Sequence, residues 1–509
     1  MGSAETVETL VQKLAKSTDA AELTELVLSL KTALGHFTRS ELAEKIVSNE
    51  SLVETLFGCL SPDPEHEILV QNSCDILKQL MVIANPVDIL TRYGKDMLEG
   101  LEQHPLPDVR ILVIAQLDRC LETETATELL CNNHSGIILS AIRQHTYPDL
   151  SVAKQATRFL IKLAATKSGG ELLVERESLE QFQNLIDSTN SRSPVRFRLF
   201  ETLANLAVVS PELFSKVQAS VNLAATLSDL AFDASDPLGN ANALEILATL
   251  AGTPYGLEAV TGIGVVEKIE RLTQELSTNP FSDLLFPGIL KFIGKVGVNQ
   301  LPPQRLSKIV LETVLRADLE LSVVSVAIEA LSYIGITREG KEFMFKKPET
   351  TECFKRARQI IENAPTEYRI RVIDAMTILF GSEEGKQVTL PHWFNILFPQ
   401  ISSLFDLVQL PFPDIRLSSL KFLTAVANLE WAQRHYLRTP GIVEFLTNRD
   451  VEPDKECLIA KYKIVCIIAD SASAGTILSV ENYGRLKIYK DQGPFYAAAQ
   501  AAVATEGSS

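Results

Sequence analysis

The residues able to do acid–base, nucleophilic or metal chemistry are few in this chain and do not converge. Histidines stand at 36, 66, 104, 134, 145, 392 and 435, scattered along the sequence without metal-ligand spacing. His66-Glu67 begins like a zinc-protease helix, but Ile68-Leu69-Val70 follow and the second His that would hold the ion is missing. The histidines are therefore expected at surfaces or helix caps. Cysteines at 59, 74, 120, 131, 353, 457 and 466 are odd in number and contain no CxxC pair, which excludes both a zinc knuckle and a disulfide framework. They predict buried thiols in a reducing compartment. No phosphate-cradling glycine loop and no GxSxG elbow occurs, and the paired Glu383-Glu384 is most simply a solvated loop. The expectation is a chain that is not an enzyme and takes no cofactor and no metal.

Charge bounds the partners. Against 48 Lys plus Arg stand 64 Asp plus Glu, a net charge of −16 in 509 residues. Such a field repels nucleic acid and anionic lipid and favours basic protein surfaces. The small basic clusters, Lys346-Lys347 and Lys355, Arg356 and Arg358, lack the interleaved aromatics that stack on bases. Neither nucleic acid nor membrane is expected as a partner, and no stretch approaches the 18 or so apolar residues of a membrane span. Met1-Gly2-Ser3-Ala4-Glu5-Thr6 fits the bare acylation template, but Glu5 and Glu8 stand where a basic patch would help anchor the chain.

What must position any functional side chain is a set of helices. Hydrophobic residues make up 46% of the chain and aromatics 7%, so the predicted core is mostly aliphatic. Residues 6–14, 21–34, 39–47 and 52–60 show the three-and-four spacing of amphipathic helices, as in Leu23, Val27, Leu30 and Leu34. From residue 61 a longer period begins. Prolines at 64, 107, 148, 194, 237, 280, 365, 413 and 453 are separated by 43, 41, 46, 43, 43, 85, 48 and 40 residues. The doubled gap holds a proline-free copy near Asp318. Proline is tolerated in a first helical turn and Asp caps the free amides there, so the period marks one recurring joint.

After each joint comes a long apolar helix, then a Gly- or Ser-containing break and a more polar helix. A period of about 40–47 residues built from helices is the signature of HEAT and armadillo arrays. The predicted fold is an all-α solenoid of roughly ten or eleven helical repeats. Residues 1–60 form N-terminal helical capping repeats, 61–496 the solenoid, and 497–509 a disordered tail. Two irregular places are expected: 280–303, where Pro287 should kink or break a helix and three glycines follow, and 381–391.

By analogy with such arrays, the helix after each joint lines the concave binding face, which makes Glu201, Asn205, Glu245, Lys291, Lys295, Glu329, Asp374, Lys421 and Asn428 the candidate partner-binding residues. Asn205 and Asn428 lie in Ala-Asn-Leu tripeptides that resemble an armadillo asparagine ladder. They stand 11 and 15 residues after their prolines, however.

Three segments carry a more specific likeness. Residues 279–298, NPFSDLLFPGILKFIGKVGV, and 429–465, LEWAQRHYLRTPGIVEFLTNRDVEPDKECLIAKYKIV, together with Tyr483-Gly484-Arg485-Leu486 and Gly493-Pro494-Phe495-Tyr496, resemble the 26S proteasome non-ATPase regulatory subunit 5 family. Order and spacing match along most of the chain. The resemblance implies a chaperone for assembly of the base of the 19S regulatory particle. Such a chaperone binds the C-terminal domain of a proteasomal AAA ATPase, regulatory subunit 7, and gathers it with its neighbouring ATPase and the large non-ATPase scaffold subunit. It is absent from the mature particle, a monomer when free, cytoplasmic and also nuclear. The alternative is a general armadillo or HEAT cargo adaptor or scaffold. A nuclear-transport adaptor would carry Asn and Trp arrays on successive repeats, and here only Trp431 lies near such an Asn.

Overall fold

The computed structural model describes residues 2–35, 37, 50–190, 193–233, 235–275, 281–382 and 389–496. The helix expected at 39–47, Pro280, the Glu383-Glu384 pair, most of 381–391 and the tail from 497 fall outside these residues. Among the described residues every regular element is a helix and no strand occurs, so the chain is an all-α solenoid.

Helices begin where the period places them. Proline occupies the first turn of Pro107–Cys120, Pro194–Ala207, Pro237–Ala251 and Pro413–Ala427. Pro148 and Pro453 lie two residues ahead of Leu150–Ala164 and Lys455–Ala469, because Asp149 and Asp454 take the capping position and accept amide hydrogen bonds from Val152 and Cys457. Leu321–Ile334 fills the proline-free gap.

The chain divides into two compact units, Met1–Phe232 and Asp233–Ser509. In the first, Glu67–Met81, Pro107–Cys120, Leu150–Ala164 and Pro194–Ala207 pack each on the next. In the second, Pro237–Ala251, Ser282–Asn299, Leu321–Ile334, Thr366–Gly381, Pro413–Ala427 and Lys455–Ala469 do the same. Helices sandwiched this way are apolar on almost every side: Pro237–Ala251 buries Ala243, Leu244, Ile246, Leu247, Ala248, Leu250 and Ala251. The flanking Val265–Glu275 buries only Val265, Val266 and Ile269, a single stripe with water on the other faces.

Of the kink or break expected at Pro287 the break does not occur, because Ser282–Asn299 is one helix through it. Pro287 lies near its start and forfeits only the bond to the carbonyl of Asp283, an exposed residue that water can serve. Burial of Leu285, Ile289, Leu290, Phe292, Ile293 and Val296 outweighs that loss. The glycines are equally structural. A Cβ on Gly294 would lie 2.8 Å from Ala330 Cα, and one on Gly297 would lie 2.8 Å from Ile334 Cα. They let this helix approach Leu321–Ile334 backbone to backbone.

Two side-chain devices recur at the joints. Thr166, Thr253 and Thr337 cap the polar helices through their hydroxyls to the amides of Gly169, Gly256 and Gly340. At each of those glycines a Cβ would strike the carbonyl oxygen of Leu163, Leu250 or Ile334, at 2.3, 2.0 and 1.7 Å, so the cap needs Gly. Arginines three residues into the apolar helices brace the preceding chain: Arg110 bonds the carbonyls of Leu101 and His104, Arg369 that of Ile361, and Arg416 that of Leu410. Each satisfies a carbonyl that no helix pairs.

The aliphatic core has one aromatic exception. In the second unit Phe380, Phe394, Phe398 and Phe422 pack with centroids 5.5–6.3 Å apart, and Phe354 stacks on Trp393 at 5.0 Å.

Candidate functional site

The chain's reactive groups are mostly locked into the fold. Burial pushes the thiols of Cys74, Cys120 and Cys353 up to about 12, far from the range in which a thiolate nucleophile forms. His66, His104 and His134 stand at helix ends, as expected. His145 does not: it is fully buried, so the surface or capping role is corrected. Its Nδ1 donates to the carbonyl of Ile142 at 2.8 Å, and its Nε2 faces the hydroxyls of Thr202 at 2.8 Å and Thr157 at 3.1 Å. Desolvation holds its pKa down at about 4, so it is a neutral core residue joining two successive helices. Lys461 is also enclosed, with its Nζ 2.9 Å from the carbonyl of Asn448 and 4.5 Å above the Phe445 ring, and burial lowers its pKa to about 8. A shifted lysine can mark a catalytic site. Here the ammonium is spent on a structural carbonyl. Among the described residues no group of three or more His, Cys, Asp or Glu is placed to hold a metal ion.

What the helices leave outside is a row of charge. Glu245, Glu329, Asp374 and Lys421 each stand eight residues into their helices, and Lys291 nine. Glu245 and Lys291 form an ion pair across adjacent helices. Lys295 sits 4.5 Å over the Tyr333 ring of the next helix. Asp374 accepts a 2.6 Å hydrogen bond from Ser418, again one helix on, and Lys421 is exposed. Exposed pairs of this kind contribute about 0–1 kcal/mol, so they can be exchanged for a partner's groups at little cost.

The remaining candidates stand at other positions of their helices or in the other unit. Glu201 and Asn205 belong to the first unit, and the Asn205 amide donates to the Glu201 carbonyl of its own helix at 2.8 Å. Asn428 is exposed just past the end of its helix. The two asparagines therefore occupy different positions and make no ladder. Trp431, the residue that would accompany such a ladder, meets Phe394 edge-on at 5.3 Å.

The first unit carries charges of the same kind that sequence reasoning missed. Lys31 bonds Asp75 at 2.7 Å, and Lys162 bonds Asp118, each pair bridging neighbouring helices. The second pair lies in a polar cleft of about 560 Å³ with Arg119, Glu122 and Arg158. The signal was present, since Asp75 also stands eight residues into its helix.

Stacked helical repeats with buried apolar helices and charged exposed positions define an α-solenoid. The chain belongs to the family described as proteasome non-ATPase 26S subunit, whose model matches residues 3–509. It is 30% identical over 498 residues to the "26S proteasome non-ATPase regulatory subunit 5" of Bos taurus, covering 94% of this chain and 95% of that one. The protein of the same name from Homo sapiens is also 30% identical, over 85% of this chain and 87% of its own. That of Drosophila melanogaster is 24% identical over 91% and 92%.

Proposed function

We propose that this chain is a chaperone for assembly of the 19S base of the 26S proteasome. It acts by binding the C-terminal domain of a proteasomal AAA ATPase, regulatory subunit 7, in intermediates that also contain the neighbouring ATPase and the large non-ATPase scaffold subunit. It leaves before the mature particle forms, and it acts in the cytoplasm and also in the nucleus. The observation that carries this reading is family membership over nearly the whole chain, with relatives named as proteasome regulatory subunits. In this reading the protein is a binding surface and not an enzyme. The row Glu245, Lys291, Lys295, Glu329, Asp374 and Lys421 supports it as an array of exchangeable charges set at repeat spacing, with Glu201, Asn205 and Asn428 as further contacts. The net charge of −16 favours a basic partner face.

Binding of the isolated ATPase C-terminal domain, measured by calorimetry, tests the assignment. We expect a one-to-one complex whose affinity falls with salt and drops about tenfold or more in D374K/K421E, two exposed changes that leave the helices intact. Absence of binding at tens of micromolar contradicts the partner. Undiminished binding by the variant contradicts the surface.

A further inference from the structure

An apolar opening of functional size lies in the first unit. Helices Glu50–Gly58, Pro86–Gln103 and Pro107–Cys120 leave between them a groove of about 620 Å³. That volume is typical of sites that enclose a ligand or a few side chains. One wall is the edge-to-face pair Phe57 and Tyr93, with centroids 4.8 Å apart. Met81, Met97, Leu112 and Val113 supply the rest of the apolar lining. Two methionines make such a lining adaptable, because an unbranched thioether re-packs around different shapes. Leu112, Met97 and Met81 are themselves well covered, so the groove is a gap between well-packed helices.

The rim is one-signed. Glu54, Asp96 and Glu99 line the groove and are exposed, and among the described residues its lining contains no Lys or Arg. The one ring that could supply a positive charge, His104, is committed on both nitrogens: Nδ1 accepts from the amide of Leu106 at 3.2 Å and Nε2 lies 3.3 Å from the carbonyl of Leu60. That hydrogen-bond pattern is the neutral imidazole. The wider field has the same sign, with 31 Asp plus Glu against 20 Lys plus Arg in residues 1–232. An apolar floor under three unpaired carboxylates is a poor seat for a lipid headgroup, a nucleotide or an acidic peptide. It complements an apolar side chain flanked by cations.

We propose that this groove is a docking site for a short segment of another protein that presents an aliphatic or aromatic side chain between lysines or arginines. The floor takes the apolar side chain, and Glu54, Asp96 and Glu99 take the flanking charges. The site is built from residues of the first unit alone and stands whatever partner the second unit's charged residues bind.

The sequence provides its own probes. Of five methionines, Met81 and Met97 line the groove, while Met344 and Met376 are buried in the second unit. The full chain labelled with carbon-13 at the methionine methyls is titrated with the hexapeptide KKLLKK and, separately, with EELLEE. We expect KKLLKK to shift the Met81 and Met97 methyls saturably, to leave Met344 and Met376 in place, and to bind less tightly as salt rises. EELLEE should shift neither groove methyl. The triple variant E54Q/D96N/E99Q, which changes only exposed carboxylates, should keep the methionine spectrum and weaken KKLLKK about tenfold. Groove methyls unmoved by millimolar KKLLKK, an equal response to EELLEE, or undiminished affinity in the triple variant each overturn the proposal.

Discussion

Arg416 and Glu452 form the most buried ion pair among the described residues, with side chains 10% and 3% exposed. The guanidinium meets both carboxylate oxygens, Nε to Oε2 at 3.2 Å and Nη2 to Oε1 at 2.9 Å. Its third nitrogen donates to the Leu410 carbonyl at 2.8 Å, while Glu452 Oε1 also accepts from the amide of Asp454 at 3.2 Å. The pair thus ties the start of Pro413–Ala427 to the cap of Lys455–Ala469. Arg416→Met keeps much of the packing but leaves the carboxylate with the Asp454 amide and the more distant Lys461 charge in place of its bidentate partner. The cost expected is about 3–5 kcal/mol, the usual penalty for an orphaned buried charge. Part of it should vanish at pH 5, because an unpaired buried carboxyl escapes by taking a proton. R416M/E452M removes both charges and should lie within about 1–2 kcal/mol of the parent. Urea unfolding followed by circular dichroism gives the energies, and hydrogen exchange across residues 410–460 localises them. There R416M should raise local opening by about two to four orders of magnitude. If R416M matches the parent, or if the double variant is as unstable as the single one, the penalty is not electrostatic and the reasoning fails.

Other consequences are simpler. Leu420 is fully buried between stacked helices, so Leu420→Asp should cost more than about 4 kcal/mol and collapse helicity around it; unchanged melting would contradict the solenoid stack. His145 binds a proton at about pH 4 in the fold and at about 6.5 unfolded, so the unfolded chain takes up the extra proton between those values. Its contribution is therefore full above pH 6.5 and lost as pH falls towards 4, by about 3 kcal/mol, and the acid slope of stability should flatten in His145→Asn. Gly294→Ala should destabilise by about 1–3 kcal/mol because its Cβ meets the Ala330 backbone, whereas Gly484→Ala, with nothing within 4 Å, should stabilise by about 0.4–1 kcal/mol in the same denaturation assay.

The repeat was legible because its cause is local. A proline or aspartate at a joint and an apolar run after it act within one helix, so Pro107, Pro194, Pro237 and Pro413 could be placed on helix starts from spacing alone. What the sequence concealed depends on contacts between repeats. Gly294 and Gly297 resemble helix breakers until the neighbouring helix is seen 2.8 Å from their absent side chains. His145 resembles a surface histidine until Thr202, 57 residues on, is found against its ring. The candidate row was partly legible, since a position eight residues into each helix is a local property. Pairing of Glu245 with Lys291 is not, and nor is the divergence of Asn205 from Asn428. The Thr-x-x-Gly caps at 166, 253 and 337 were visible in the text of the sequence, but their meaning lies in the carbonyls of Leu163, Leu250 and Ile334.

The claim that this protein assembles proteasomes is tested most directly by what it holds in cells. The tagged chain, purified natively with and without ATP and analysed by mass spectrometry, should bring down regulatory subunit 7, its neighbouring ATPase and the large scaffold subunit, without 20S core subunits. Recovery of complete 26S particles, or of transport cargo with no proteasomal ATPase, would contradict the account.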